Sequence, residues 1–177
     1  MNRVSKAGSE SISIIQDLAV RTWKVAYSSI ISPQQMKYML ELFYSETSLQ
    51  KQMQEGHQFI IAKENLQLPG YRGNPANNTA IGFASYAVKS SEESNTYRLH
   101  KIYIDPTQQG KGIGKLLIGY IINDISSYNA ANLELNVNRH NKALDFYQKI
   151  GFKIIKEEDI DIGNGFFMND YVLNLVL

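Results

Sequence analysis

The amino-acid sequence predicts a mixed α/β fold, with one β-sheet flanked by helices. Three observations predict it: apolar residues at helical spacing near the N-terminus, short apolar runs in the middle, and alternating helices and strands towards the C-terminus. The chain has 177 residues, 44% of them hydrophobic and 20% charged, which is enough for one buried core. No linker-like stretch divides it, so we expect a single domain over residues 1–177.

The N-terminal part is predicted to be helical after a short strand at Arg3–Ala7. Apolar residues recur every three or four positions across Ser11–Tyr27, which predicts a long amphipathic helix. Ser32 and Pro33 have the cap residue and the first-turn proline of a second helix. A third, shorter helix is expected over Thr47–Glu55.

The rest of the chain alternates strands and helices. Predicted strands are Phe59–Ala62, Ala80–Val88, Tyr97–Ile104, Leu133–Val137, Phe152–Ile155 and Phe166–Leu175. Predicted helices are Lys111–Ser127 and Asn141–Ile150, the second ended by Gly151. We expect a long hairpin loop at Leu66–Asn78, which holds two of the four prolines, and a turn at Gly163–Gly165.

Composition excludes several classes of protein. With 18 Lys and Arg against 17 Asp and Glu, the net charge is +1, so the basic excess typical of a nucleic-acid binder is absent from the sequence. The sequence has no Cys, and its three His are well separated, so we expect no metal site and no cysteine nucleophile. No apolar stretch reaches the roughly 18 residues of a membrane helix, and no signal peptide is recognised. We therefore expect a cytoplasmic protein.

The most informative segment is a glycine-rich turn between a predicted strand and a predicted helix. Its alternating glycines are Gly110, Gly112 and Gly114. The N-terminus of a helix exposes unpaired N–H groups and a partial positive charge, which favour an anion such as a phosphate. Lys111 and Lys115 add positive charge to the same turn.

Other interpretations of this turn fit less well. A Walker loop needs four residues between its glycines and then Lys with Ser or Thr, but three residues separate Gly110 from Gly114, and Leu116 replaces the hydroxyl. A dinucleotide-binding turn needs a third glycine where Leu117 stands. The glycines alone also fit a tight turn without a ligand.

The segment resembles the pyrophosphate-binding loop of the GNAT superfamily of acyl-CoA N-acetyltransferases, which reads Gln/Arg-x-x-Gly-x-Gly/Ala. The matching residues are Gln109, Gly110, Lys111, Gly112, Ile113 and Gly114. A second segment, Val137–Phe152, resembles the strand, Asn and Ala-x-x-x-Tyr-x-Lys-x-Gly-Phe helix of the same family. By itself this helix also fits simple amphipathic packing. Together the two segments cover about 50 residues in the family's order, and the family's fold, a mixed sheet with two splayed parallel strands, agrees with the predicted elements.

The resemblance implies acetyl-CoA as cofactor. Its pantetheine arm would pair with the main chain of Ile102, Tyr103 and Ile104, and an N–H there would hold the oxyanion. The residues implied for the pyrophosphate are Gln109, Gly110, Lys111, Gly112, Ile113, Gly114 and Lys115. Asn138 and Asn141 both match the Asn that contacts the cofactor arm, and their spacing leaves the choice open. We expect Gly112→Val to weaken cofactor binding with little loss of stability.

The resemblance also implies a catalytic acid. Tyr147 matches the tyrosine that protonates the coenzyme sulfur, although the same residue also fits a packed core aromatic. Many family members place a Glu on the strand before the glycine loop, where this chain has His100. An imidazole is able to accept the ammonium proton near neutral pH, so His100 is our candidate base, with a purely structural role as the alternative.

The acceptor is expected to be a small primary amine. The segments around Trp23, Tyr27 and Ser32–Leu40, and the closing Gly165–Tyr171, resemble the bacterial spermidine/spermine-type branch. Trp23 and Tyr27 either line the acceptor site or belong to the core. The acidic stretch Glu157–Asp161 either attracts a polycation or forms a solvated turn. The alternatives are a peptide or protein N-acetyltransferase and a non-catalytic acyl-CoA-binding module, and the family suggests a homodimer.

Overall fold

A computed structural model describes residues 2–64 and 79–177, and in these residues seven strands form one sheet in the order β1-β2-β3-β4-β5-β7-β6. The strands are β1 (Arg3–Ala7), β2 (Gln58–Lys63), β3 (Ala80–Val88), β4 (Thr96–Ile104), β5 (Asn132–Asn138), β6 (Lys153–Gly163) and β7 (Phe166–Val176). The mixed α/β class predicted from the sequence is confirmed. The predicted hairpin loop at Leu66–Asn78 lies outside the described residues.

Five α-helices flank this sheet in the described part of the chain. They are α1 (Ile12–Tyr27), α2 (Pro33–Tyr44), α3 (Glu46–Gln54), α4 (Ile113–Ser126) and α5 (Ala143–Lys149). Ser32 caps α2 as predicted, because its hydroxyl accepts the N–H of Gln35 at 3.1 Å. None of these helices has both the length and the apolar character needed to cross a membrane.

The sheet separates two hydrophobic cores. On one face, α4 and α5 cover residues such as Leu117, Ile121 and Leu135, which are at most 1% exposed. On the other face, α1, α2 and α3 pack on β2 and β3 through residues such as Leu18 and Phe83. Because successive strand residues point to opposite faces, each central strand contributes to both cores.

All neighbouring strands are antiparallel except β4 and β5, which run parallel. Parallel neighbours require a crossover connection, and α4 supplies it by leaving the end of β4 and returning to the start of β5. The glycine-rich turn of the sequence is the connection between β4 and α4. It therefore lies at the carboxyl end of β4, beside the parallel pair.

One predicted strand was too short. The sequence predicted a strand over Phe152–Ile155 and left Glu157–Asp161 as a solvated turn or a polycation site, whereas β6 continues to Gly163 and pairs with β7 along its whole length. Charged residues are tolerated there because β6 is an edge strand with one side in water. The acidic residues are also partly neutralised, since Arg139 contacts Glu157 at 3.7 Å and Asp159 at 2.8 Å.

The last helix begins later than the sequence predicted. We expected Asn141–Ile150, but α5 covers Ala143–Lys149. Asn141 precedes the helix, and its side-chain oxygen accepts the N–H of Ala143 at 2.9 Å. At the other end, Gly151 has φ +105°, the left-handed conformation predicted for the residue that stops this helix.

Candidate active site

Strands β4 and β5 separate part-way along their length. Their pairing ends at Leu99 and Leu135. Beyond these residues β4 pairs only with β3, as far as Ile104, and β5 pairs only with β7, as far as Asn138. The main-chain groups on the inner edges of both strands therefore face an opening between them, in which an extended ligand has hydrogen-bonding partners.

A cavity of about 820 Å³ occupies this opening and extends to the glycine-rich turn. Residues of α1, β4, β5 and α5 line it, together with the start of α4. Predicted cofactor residues that line it are Ile102, Tyr103, Ile104, Gln109, Gly110, Gly112, Ile113, Gly114, Lys115, Asn141 and Tyr147. Its elongated lining matches a long, flexible ligand with an anionic part at the turn.

The glycine-rich turn provides N–H groups at the start of α4. Gly110 and Gly112 have φ +76° and +80°, the left-handed conformation that favours glycine. The first backbone bond of the helix runs from the N–H of Leu116 to the carbonyl of Gly112, so the N–H groups of the three residues before Leu116 have no acceptor within the helix. An added Cβ at Gly110 or Gly112 would meet no atom within 4 Å, so the space over the turn is open to a ligand.

The left-handed conformation corrects one expectation about this turn. We expected Gly112→Val to leave stability nearly unchanged, but a β-branched residue at φ +80° is strained by clashes of its own backbone. Gly114 has a different role, because an added Cβ there would lie 2.8 Å from the Phe146 ring. The missing side chain at Gly114 thus lets α4 and α5 approach closely, next to the glycine-rich turn.

Asp105 fixes the beginning of the turn. Its carboxylate accepts the N–H and hydroxyl of Thr107 at 3.0 and 2.7 Å and forms an ion pair with Arg21 of α1. These hydrogen bonds from Thr107, followed by the charge of Arg21, lower the pKa of Asp105. The turn is therefore anchored to α1, which also lines the cavity.

The two candidate asparagines lie in different places. Asn141 lines the large cavity, whereas Asn138 lines a second, smaller cavity and accepts the N–H of His140 at 3.0 Å. Lys111, also predicted to bind the pyrophosphate, does not line the large cavity, and its ammonium group contacts Gln108 at 3.0 Å.

Tyr147 lies in the wall of the large cavity with 7% of its surface exposed. Burial raises its pKa, with a further contribution from the nearby Tyr27, so its hydroxyl stays protonated at neutral pH. The ring packs against Phe146 and Phe152 with centroid distances of 5.4 and 5.8 Å. Tyr147 is thus both a core residue and a protonated hydroxyl at the cavity.

The second cavity, of about 230 Å³, lies on the α1 and α2 side of the sheet. Aromatic residues form one wall: Trp23, Tyr27, Phe43, Tyr44, Tyr103 and Phe167. Trp23 is 3% exposed and lies 4.7 Å from Tyr27 and 5.6 Å from Tyr44 between ring centroids. Trp23 is therefore a core residue that also forms part of the wall of this cavity, and its place in an acceptor site stays a prediction.

The two cavities meet where β4 and β5 separate. Both are lined by Tyr27, Leu99, His100, Tyr103 and Asn136. The hydroxyls of Tyr27 and Tyr103 lie 3.5 Å apart at this junction. A group bound in the small cavity is thereby adjacent to a group bound in the large one, as a transfer reaction between two substrates requires.

His100 is the extra residue of a β-bulge at this junction, because Lys101 pairs with Ser85 and Leu99 with the next residue, Tyr86. Its ring stacks on His57 at a centroid distance of 4.2 Å. Desolvation in the cleft, and then His57, Lys101 and nearby Arg98, lower the pKa of His100. The imidazole is therefore neutral at physiological pH.

The sequence analysis missed four polar residues of the small cavity, and two of them are on central strands, Asn136 of β5 and Asp170 of β7; the others are Gln35 and Arg98. Asp170 is 6% exposed, and burial raises its pKa to about 6. The alternation along β7 contained the signal: Phe166, Met168, Asp170 and Val172 share one face of the strand, so a carboxyl stands among residues on a covered side. No group of three or more His, Asp or Glu suited to a metal ion occurs in the described residues.

A family model for the acetyltransferase (GNAT) domain matches residues 27–174, which is most of the chain. The chain belongs to the GNAT acetyltransferase family. The resemblance identified from the glycine-rich turn and the Tyr147 helix is thereby confirmed. In this GNAT protein the matched region contains β2 to β6, β7 as far as residue 174, and every residue of the glycine-rich turn. It also contains the lining residues of both cavities, except those of α1 that precede Tyr27.

Two characterised relatives of this GNAT protein point to different acceptors. Spermidine N(1)-acetyltransferase of Thermoplasma acidophilum is 26% identical over 166 residues, which are 93% of this chain and 94% of the relative. Ribosomal protein bS18-alanine N-acetyltransferase of Haemophilus influenzae is 36% identical over 91 residues, 51% of this chain. The match spans only 56% of that relative's length.

Solved structures share the fold. The PaiA N-acetyltransferase from Thermoplasma acidophilum, a complex with coenzyme A, superposes with a TM-score of 0.78 at 22% identity and covers 100% of this chain and 99% of the other. The putative acetyltransferase yncA from Salmonella typhimurium, a structure with acetyl-CoA, has a TM-score of 0.66 at 16% identity and covers 100% and 94%. The predicted GNAT fold is therefore confirmed.

Proposed function

We propose that this GNAT protein transfers an acetyl group from acetyl-CoA to a primary amine, preferably a small amine or polyamine. The observation that carries the proposal is the meeting of two cavities at the point where β4 and β5 separate. One cavity is long and ends at a phosphate-type turn, and the other is small and lined by aromatic residues and a carboxyl. This arrangement suits a large donor and a small acceptor that react at the junction.

The large cavity fits acetyl-CoA in its chemistry. N–H groups of the glycine-rich turn, with Lys115 beside them, suit the pyrophosphate, and the unpaired edge of Ile102–Ile104 suits the amides of pantetheine. Asn141 is our choice for the cofactor arm because it lines this cavity, unlike Asn138. Bound acetyl-CoA supplies the acetyl group as an activated thioester. Coenzyme A in the PaiA structure, which has the same fold, supports this assignment.

The residues at the junction have complementary roles. Tyr147 holds a proton at neutral pH and would donate it to the departing thiolate. Main-chain N–H groups of Ile102–Ile104 would stabilise the negative charge that develops on the acetyl oxygen. His100, neutral and exposed to both cavities, remains our candidate to accept a hydrogen bond or proton from the amine.

A small acceptor is favoured by the cavity and by one relative. A volume of about 230 Å³ holds an aminoalkyl group, and the relative that matches over nearly its whole length acetylates spermidine. The peptide alternative rests on the bS18-alanine relative, which matches over half of this chain. The non-catalytic alternative is disfavoured because Tyr147 is present and lies in the cavity wall.

A turnover panel tests the proposal. Thiol release from acetyl-CoA would be followed with spermidine, 2-phenylethylamine, a peptide with an N-terminal Ala and a blocked peptide with an internal Lys; the protein contributes no thiol because it has no Cys. We expect the small amines to react fastest. Faster turnover of a peptide would favour the protein-acetylating alternative, and no turnover with any acceptor would contradict the proposal.

Tyr147→Phe provides the matched catalytic test. The variant keeps the ring that packs against Phe146 and Phe152, so the fold is expected to persist. Removal of a general acid typically costs a factor of roughly 100 or more, and we expect that loss in kcat. Tyr128→Phe, at a position 61% exposed and away from both cavities, is the control. Full activity of Tyr147→Phe would remove Tyr147 from the mechanism.

We also propose a homodimer, as the family suggests. The edge strand β6 presents Ile154 and Ile155, 41% and 56% exposed, in support of a contact between copies. Light scattering coupled to size exclusion measures the mass, and a monomer at all concentrations would contradict it. A cytoplasmic location stays a prediction.

A further inference from the structure

The carboxyl of Asp170 is held rigidly in the small cavity. Asp170 lies in β7 between two strands, with Asn138 of β5 on one side and Glu158 of β6 on the other. The residue is 6% exposed, and its side chain lines the cavity wall formed by the sheet. A residue in the middle of a paired strand is positioned more firmly than one in a loop.

This carboxyl has no ion-pair partner among the residues that the structure describes. The nearby guanidinium groups contact other carboxylates: Arg98 contacts Glu134 at 3.3 Å, and Arg139 contacts Asp159 at 2.8 Å. A buried carboxylate without a cation is costly, and such groups in folded proteins are normally paired. Asn136 and the charge of Arg139 compensate only part of this cost, so a cation from outside the chain would complete the site.

The opposite wall suits the same kind of ligand. Aromatic faces attract cations, and Trp23, Tyr27 and Tyr44 stand in the wall contributed by α1 and α2. Met39 and Met168 add apolar surface that would contact an alkyl chain. A carboxylate opposed to aromatic and aliphatic surface is a site for a primary alkylammonium ion, in which one end is charged and the rest apolar.

We propose that Asp170 binds the ammonium group of the acceptor and takes its proton, so that the small cavity selects primary alkylammonium ions. The inference rests on the proposed function and names the charge that defines its acceptor. The ammonium ion must lose a proton before transfer, because only a neutral amine has the lone pair that attacks a thioester. Asp170 therefore first attracts the ion and then accepts its first proton, which leaves to His100 the proton that the nitrogen loses after its attack.

The transfer balances with the residues present. One N–H proton of the ammonium ion passes to the Asp170 carboxylate, and the freed nitrogen lone pair forms a bond to the acetyl carbon. The carbon–sulfur bond breaks, and the thiolate takes the proton of Tyr147. The second amine proton passes from the nitrogen to His100. Of the two protons then held by Asp170 and His100, one returns to the tyrosinate and one leaves to solvent, so the products are an N-alkylacetamide, coenzyme A and one proton.

The expected pH dependence involves the groups around Asp170. Burial raises its pKa to about 6, Asn136 and Arg139 act in the opposite direction, and Glu158 raises it further. Tyr27 and His100 face the same cavity from α1 and β4. Because the carboxyl must be ionised to bind the cation, we expect kcat/KM to rise between about pH 5 and 7.

The test compares Asp170→Asn with Glu92→Gln, a matched loss of one negative charge at an exposed position between β3 and β4, outside both cavities. For each acceptor of the panel that the wild type acetylates, we expect Asp170→Asn to lower kcat/KM roughly 100-fold and to abolish the rise with pH. The melting-temperature shift caused by acetyl-CoA should stay unchanged. Glu92→Gln should match the wild type throughout.

The outcomes separate this inference from the proposed function. Asp170→Asn with the activity and pH profile of the control overturns the role of Asp170 while acetyl transfer stands. A wild type that acetylates none of the four acceptors overturns both. Equal losses of acetyl-CoA binding and turnover in Asp170→Asn also overturn the inference, because they indicate a structural defect. Should Asp170→Asn not fold, Asp170→Ser is measured in its place with the same expectations. Comparison of kcat/KM for spermidine and for the blocked peptide with an internal Lys shows whether the site prefers a free amine or a protein side chain.

Discussion

At the scale of single residues, the buried carboxyl of Asp170 is expected to lower the free energy of unfolding at neutral pH. Its pKa rises from 3.8 to about 6 on folding, chiefly because the carboxylate is withdrawn from water. Between these two values the folded state binds the proton more tightly than the unfolded chain does. The free energy of unfolding therefore falls as the pH rises through this interval, and the destabilisation is complete above it.

Asp170→Asn should remove this pH-dependent destabilisation. A difference of about two pKa units corresponds to about 3 kcal/mol, so the free energy of unfolding of the variant relative to the wild type should grow by up to that amount from pH 4 to pH 8. Urea unfolding at pH 4, 6 and 8 measures it. Glu92→Gln serves as the control. A difference that does not change with pH would mean that the carboxyl is not desolvated.

Single residues were predicted from the sequence where a motif fixed them. Tyr147 and the glycines of the turn were found because their spacing matches a family pattern, and each lines the large cavity. Asp170 lies in the segment Gly165–Tyr171 that resembles the spermidine/spermine-type branch, but the sequence assigned it no role. Its side chain matters because β7 lies beside β5 and opposite α1, and that arrangement depends on the strand order and not on neighbours in the sequence.

At the scale of an element, the start of α4 combines two demands on glycine. Gly112 needs a left-handed conformation to turn the chain into the helix, and its bare backbone faces open space in the large cavity. Gly119 lies in the same helix on its exposed side, and an added Cβ there also meets no atom within 4 Å. The two positions therefore separate the effect of backbone conformation from the effect of an added methyl group.

Gly112→Ala and Gly119→Ala are expected to act in opposite directions. Alanine in the left-handed conformation costs about 1–2 kcal/mol, whereas alanine within a helix gains about 0.5–1 kcal/mol over glycine. Gly112→Ala should also weaken acetyl-CoA binding, and Gly119→Ala should not. Thermal unfolding and an acetyl-CoA titration of both variants measure these effects. Equal affinities of the two variants for acetyl-CoA would contradict the assignment of the pyrophosphate to this turn.

Elements were predicted well where local chemistry marks their ends. The Ser32 cap, Pro33 and the left-handed Gly151 are signals within a few residues of the boundary. The extent of β6 was missed because Lys156–Asp161 is charged at almost every position, which is typical of a turn in isolation. Pairing with β7 and the contacts of Arg139 keep this segment in a strand, and neither is visible locally.

At the scale of the whole molecule, one break in the sheet creates the site. If β4 and β5 paired along their full length, the large cavity would be closed and its main-chain groups would bond to each other. The separation of the strands brings the large cavity, our proposed donor site, and the small cavity, our proposed acceptor site, to a common junction. The parallel pair predicted from the family is thus present, while the small cavity depends on contacts between α1, α2 and β7 that no sequence pattern specified.

The account depends first on acetyl-CoA as the ligand of the large cavity. The most direct measurement is the melting temperature of the wild type with acetyl-CoA, ATP or NADH supplied separately. A ligand at 100 times its Kd adds about 2.7 kcal/mol, which in a domain of this size corresponds to an increase of roughly 5–11 °C. We predict that increase with acetyl-CoA and none of that size with ATP or NADH. An increase with ATP or NADH and none with acetyl-CoA would contradict the assignment of the glycine-rich turn and the transfer chemistry built on it.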